Sequence, residues 1–174
     1  QPGRLVLIDR DDSVRENFLK VLLPHKDIFV HGMYSSVREA GQRTSASTPN
    51  LFVIGDSIPK EEALAFTRRI LKRQPNVFFL YWRAEETTAA VIEALSAGAI
   101  GYLPKSAQPD EIVASVRRVA TGEPALPASL ARALVKKFEE DSKKSQAEVD
   151  QFFSSPRNRK KYEEWLKNRP KDKE

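Results

Sequence analysis

Cysteine is absent from the 174 residues, and histidine occurs only at His25 and His31. The first absence excludes disulfide scaffolds, thiolate zinc sites, iron–sulfur clusters and cysteine nucleophiles, and it permits a reducing compartment. The two histidines lie near a short apolar run with no carboxylate pattern around them. Each reads as an exposed or packed ring, and no metal site and no cofactor are expected. Long apolar runs are missing too. The longest, such as residues 77–82, falls far below the roughly 20 residues of a membrane-spanning helix. At the N-terminus only residues 5–8 separate Arg4 from renewed charge, too few for the apolar region of a signal peptide. A cytoplasmic protein is the resulting expectation.

Apolar residues make up 40% of the chain and charged residues 30%, which suits a folded domain rather than a disordered chain. The length allows one domain with an appendage. Short runs rich in branched and aromatic residues recur at 5–9, 28–31, 51–54, 78–82 and 100–103. Between them apolar residues repeat at helical spacing: Val14, Phe18, Val21 and Leu22, then Leu64, Phe66, Ile70 and Leu71, then Val91, Ile92 and Leu95. Ser13 is the expected cap of the first helix, and Gly98 and Gly122 stand where later helices should end. Alternating strands and helices specify crossover units, hence a doubly wound parallel sheet covered by helices on both faces.

In such sheets a site forms at the carboxyl ends of the strands. That narrows the candidates to Asp9, Arg10, Asp11 and Asp12, then Gly55 and Asp56, then Arg83 and Ala84, then Pro104 and Lys105. No glycine-rich phosphate loop follows the first strand, which argues against nucleotide binding. The string "GAIGYLPKSAQPDEIVASVRRVATGEPALP", with intervals of 46 residues from Asp9 to Gly55, 28 from Gly55 to Arg83 and 22 from Arg83 to Lys105, resembles the receiver domain of response regulators. The likeness spans about residues 4–121 and is similar to the nitrate-response, LuxR-type subfamily. It implies a five-stranded flavodoxin-like sheet of order 2-1-3-4-5. It also implies two-component signalling through an aspartate nucleophile, an acidic pair for Mg2+, a switch hydroxyl and a lysine.

On that resemblance the chain departs from the pattern. Asp9 matches the first acid, but Arg10 stands at the second, Gly55 at the nucleophile and Arg83 at the hydroxyl, while Ala84 and Lys105 fit and Tyr102 holds the place of the aromatic switch. Arg10, Arg83 and Lys105 are expected to converge on Asp9, giving a degenerate phosphorylation pocket that holds metal poorly. Two forms of that pocket stay open. In one, Asp9 pairs with Arg83 or Lys105 as a structural plug while Arg10 swings into solvent; in the other, the guanidinium groups hold a small anion. Asp56 reads as a turn residue or helix cap, or as an acceptor if the strand end is bulged, with Asp11 or Asp12 replacing the second acid. Tyr102 is expected to be frozen as a fixed contact on an output face.

The composition changes after Gly122. The stretch "GEPALP" reads as a hinge, dividing a receiver-like domain at 1–121 from a helical extension at 122–174. A helix is expected over about 129–141, with Leu126, Leu130, Leu134, Val135 and Phe138 as a stripe that covers the domain or pairs with a second copy. Two short helices should follow, the last with Tyr162, Trp165 and Leu166 on one edge and stopped by Pro170. Residues 122–174 hold 13 basic and 10 acidic side chains, a mild excess. Arg157, Arg159, Lys160 and Lys161 are candidate nucleic-acid contacts, although Glu163 and Glu164 beside them favour local ion pairs. The expected function is a non-enzymatic, phosphorylation-independent regulator acting through a protein partner or as a homodimer. The alternatives are a DNA-binding regulator and a true phosphorelay acceptor using Asp56.

Overall fold

The computed structural model describes residues 3–44, 49–85, 87–141 and 164. Five strands, β1 (Gly3–Ile8), β2 (Ile28–Tyr34), β3 (Leu51–Gly55), β4 (Phe78–Arg83) and β5 (Gly101–Pro104), alternate with helices. The helices are α1 (Asp12–Leu22), α2 (Val37–Arg43), α3 (Lys60–Arg73), α4 (Thr88–Ala97), α5 (Pro109–Ala120) and α6 (Ala128–Asp141). All strand pairs are parallel, in the order β2-β1-β3-β4-β5. Residues 51–55 are all buried, so β3 reads as a continuous apolar run, as a central parallel strand must when both faces are covered. Beneath it Phe52 stacks on Phe79 at 5.0 Å, and Phe66 of α3 meets both rings edge-on. Each such aromatic pair adds about 0.5–1.5 kcal/mol beyond its burial.

Helix ends follow local chemistry, with one correction. Asp11, not Ser13, caps α1: its Oδ1 accepts the backbone N–H groups of Ser13 and Val14 and the Ser13 hydroxyl. Ser13 already lies within the first turn of α1, whereas Asp11 stands just before it, where its side chain can accept the orphan N–H groups of that turn. The short helix α2 lacks an apolar stripe and had no counterpart among the helical patterns in the sequence. Its signal is the N-cap Ser36, whose hydroxyl accepts from Glu39 N–H, with the Glu39 carboxylate reaching back to accept from the N–H and hydroxyl of Ser35. Gly98 (φ 122°) and Gly122 (φ 80°) both adopt the positive φ that glycine tolerates at helix ends. The guanidinium of Arg117 on α5 grips the Asp27 carboxylate through Nε (2.7 Å) and Nη2 (3.0 Å), tying α5 to the turn before β2.

The expected hinge at "GEPALP" is not one. Ala125 runs parallel to Gly101, donates to the Ile100 carbonyl (3.1 Å) and accepts from Tyr102 N–H (2.9 Å), so the segment is stitched along the free edge of β5. An unpaired sheet edge leaves backbone groups unsatisfied, and the N–H and C=O of one linker residue, Ala125, satisfy two of them. This seats the start of α6 on its own domain: Leu130 and Ala131 are buried in the monomer. Leu134 and Phe138, placed on α6 by its backbone, have side chains outside the described residues.

The hydroxyl of Ser13, followed by the N–H groups of Val14 and Ser13, holds the Asp11 carboxyl below its ordinary value of 3.8. A lowered carboxyl stabilises the fold above the ordinary value and loses that contribution as pH falls through the lowered one. Replacing Asp11 by Ala should therefore lower the urea midpoint at neutral pH, and the difference from the unchanged chain should shrink in acid below 3.8.

Candidate functional site

The carboxyl ends of β1, β3, β4 and β5 meet at one rim, because Ile8 is in register with Ile54, Gly55 with Trp82, and Arg83 with Pro104. Asp9 follows β1 directly and is only 1% exposed. Its Oδ1 accepts from Ser57 Oγ (2.7 Å) and from Asp11 N–H (2.9 Å), and Ser57 Oγ in turn accepts Arg10 N–H (2.7 Å). Its Oδ2 has no hydrogen-bond partner among the described residues. That oxygen lies where a side chain on residue 55 would begin. A Cβ built on Gly55 would overlap Oδ2 and approach Asp9 Cγ to 2.8 Å and Cβ to 2.9 Å. Glycine at 55 and a buried carboxylate at 9 are thus one packing solution.

The three cations expected around Asp9 do not converge: Arg10 turns toward solvent as the plug form had it, but among the described residues neither Arg83 nor Lys105 pairs with Asp9, which corrects that part of the plug. Arg10 leaves the rim toward Glu62, with its Nη2 3.9 Å from Oε1 and both side chains about half exposed. Lys105 Nζ sits 3.7 Å from the centre of the Trp82 ring, a cation–π contact. Arg83, its side chain 12% exposed, reaches back over β3: Nη1 donates to the carbonyls of Gly55 (2.8 Å) and Ile58 (2.7 Å). A plug exists, but its partners are backbone carbonyls of the β3–α3 loop. An arginine fork can satisfy two carbonyls at once, a geometry that a short hydroxyl side chain could not span.

The remaining positions are also engaged within the chain. Asp56 Oδ1 accepts Ala84 N–H (2.9 Å) and lies 4.0 Å from Arg83 Nε, linking two loops instead of capping a helix. The N-cap of α3 is Pro59, with no side-chain capping bond. Tyr102 is 3% exposed and donates its hydroxyl to the Glu85 carbonyl, so its expected role as a surface contact is corrected: the ring is fixed, but inside. Trp82 packs on Phe18 at 4.8 Å, and its Nε1 is, with Asp9 Oδ2, a buried polar atom without a partner among the described residues. Tyr81, on the opposite face of β4, shares a 2.7 Å hydrogen bond with Thr67, and burial pushes its phenol up to about 12.

Sequence reasoning missed Ser57 and Trp82. The signal for Ser57 was its position two residues beyond β3, within reach of Asp9. For Trp82 the sequence carried no local signal, because Lys105 reaches it only through the pairing of β4 with β5. The carboxylate oxygens at the rim are largely engaged within the chain, which leaves few for a hard divalent cation. Asp9 Oδ1 is already doubly hydrogen-bonded, Asp11 caps α1, and Asp12 pairs with Arg15. No group of three or more potential ligands occurs among the described residues. Arg157, Arg159, Lys160, Lys161 and Trp165 lie outside the described residues.

The chain that folds into this parallel 2-1-3-4-5 sheet matches, over residues 5–117, the family model described as the response regulator receiver domain. The chain belongs to that family. It is 28% identical over 135 residues to the DNA-binding transcriptional activator DevR/DosR of Mycobacterium tuberculosis, covering 78% of this chain and 62% of that protein. It is 27% identical over 120 residues to the transcriptional regulatory protein YxjL of Bacillus subtilis, covering 69% and 55%. The chain therefore spans somewhat over half the length of these relatives. Among solved structures, a LuxR-family response regulator from Aurantimonas sp. superposes with TM-score 0.72 at 23% identity, covering 79% of this chain and 99% of that one. The receiver domain of NarL from Mycobacterium tuberculosis gives 0.65 at 24%, covering 71% and 99%. These likenesses are of fold. No helix among the described residues is long and apolar enough to cross a membrane.

Gly55→Ala should cost about 1–3 kcal/mol in urea unfolding, because the added methyl meets a carboxylate already fixed by two hydrogen bonds. Combined with Asp9→Ala the cost should be smaller than the sum of the two single changes, the mark of a shared space.

Proposed function

We propose that this receiver domain signals without phosphoryl transfer, as an atypical, non-enzymatic response regulator working through contacts with a protein partner or a second copy. The observation that carries the reading is the overlap at position 55. The space from which an acceptor carboxylate would project is filled by Asp9, and the residue itself is glycine. Arg83 supports it by closing the β3–α3 loop where the resembled family has its switch hydroxyl. With Tyr102 bonded to the Glu85 carbonyl and Lys105 on Trp82, the groups that phosphate binding would otherwise rearrange are held by the protein itself. One conformation is then populated in the absence of a ligand, and output follows from when and where the chain meets its partner.

The relatives are named as transcriptional regulators, which favours transcription regulation as the setting. DNA binding by Arg157, Arg159, Lys160 and Lys161 is the second reading, supported by the name of DevR/DosR. A phosphate-driven contact would weaken steeply as salt rises, so a salt series of DNA binding distinguishes it.

The test of the main reading is incubation with acetyl phosphate and Mg2+ followed by intact mass. Transfer of the phosphoryl group to a carboxylate, with release of acetate, would add one phosphoryl mass. The expected result is an unmodified chain, also for Gly55→Asp, whose new carboxylate would compete with Asp9 for one space. An adduct mapped to Asp56 would overturn the proposal in favour of a working phosphorelay acceptor.

A further inference from the structure

Away from the rim, a groove of about 1120 Å3 runs along the outer flank of β5. One wall is α5, through Ala114, Ser115 and Arg118, and the other is the stitched segment, through Leu126 and Pro127. Its width is set by two features already described. The positive φ of Gly122 turns the chain away from α5, and the pairing of Ala125 with Gly101 anchors it to the sheet. Arg118 braces the turn by donating to the Pro124 carbonyl (3.1 Å) while its Nη2 lies 3.6 Å from Glu123 Oε2. The groove is thus part of the fold, with exposed Ala114 offering little side chain to fill it.

The structure also shows what reaches it. Glu164, helical and far along the chain from α6, lines the same groove. The residues that flank Glu164 in the sequence are its covalent neighbours. They include Tyr162, Trp165 and Leu166, the apolar residues of the tail's last predicted helix, which a short helix cannot bury against itself. The groove is lined by Glu111 and Glu123 against Arg118, and residues 157–169 carry Arg157, Arg159, Lys160, Lys161, Lys167 and Arg169 against Glu163 and Glu164, so the segment's net positive charge complements a lining with more acids than cations.

We infer that the groove between α5 and the segment 122–129 is the docking site of this chain's own C-terminal segment, with the Trp165 region as its occupant. The tail then covers the β5–α5 flank of its own receiver domain. Any partner that binds this flank must first displace it, and a partner that takes the tail exposes the groove.

The chain has two tryptophans, of which Trp82 is 7% exposed, so subtracting the signal of a Trp165→Phe variant isolates Trp165. In the full chain Trp165 should be quenched by acrylamide severalfold less than an exposed indole. Ala114→Arg, which fills the groove from the exposed side of α5, should restore full quenching without changing the thermal melt. Equal quenching in the two proteins overturns the inference. So does protection that disappears on dilution, which would place a second copy's tail in the groove. Should Ala114→Arg melt differently, an Ala114→Cys/Leu166→Cys pair in this cysteine-free chain serves instead. A bismaleimide should link it within one molecule, and linkage only between molecules, or none, overturns the inference.

Discussion

A buried carboxylate beside a missing side chain organises the rim of this domain. Asp9 stands at the end of β1 with one oxygen held by Ser57 and the Asp11 amide, and the other enclosed against the backbone of Gly55. Leaving a buried polar oxygen without a partner costs about 1–3 kcal/mol, a cost tolerated only where the surrounding fold is firm. Here the firmness comes from β1 and β3, whose side chains at this end are fully buried. Ser57 matters as much as the acid does. By donating to Asp9 and accepting from Arg10 N–H it locks the β1–α1 loop to the β3–α3 loop.

From that point the loops at the rim are connected in series. Arg83 joins β4 to the β3–α3 loop, Asp56 joins that loop back to Ala84, and Tyr102 joins β5 to the loop that holds Glu85. Lys105 closes the rim by stacking on Trp82. Each link is modest, since a net hydrogen bond contributes about 0.5–1.5 kcal/mol. Together they tie the ends of four strands and the loops that follow them into one connected rim. The same economy operates on the far edge of the sheet, where Ala125 satisfies the backbone of β5 and thereby decides where α6 begins.

The alternation of five apolar runs with helical stripes was enough to specify a doubly wound sheet, because periodicity of two and of 3.6 residues survives in any one chain. Asp9, Gly55, Arg83 and Lys105 each stand at or just after a strand end, and strand ends in a parallel sheet share one edge. What charge alone could not convey was direction. Arg10 and Lys105 were expected at Asp9 by sign, yet Glu62 and the Trp82 ring supply partners closer to water, where a cation is less costly than inside. The hinge was misread for a related reason: glycine and proline mark a turn, but not whether the residues after it will find a sheet edge to pair with.

Composition and pattern by themselves determined the class of fold, the rim positions and the absence of thiol chemistry, because these depend on residue type and local spacing. Tertiary structure decided which partner each polar group takes, the burial of Tyr102, the engagement of Ser57 and the existence of the β5 flank groove. Those outcomes depend on distances between residues such as Asp9 and Ser57, 48 positions apart in the chain, and competition among partners is settled only when the strands bring them together.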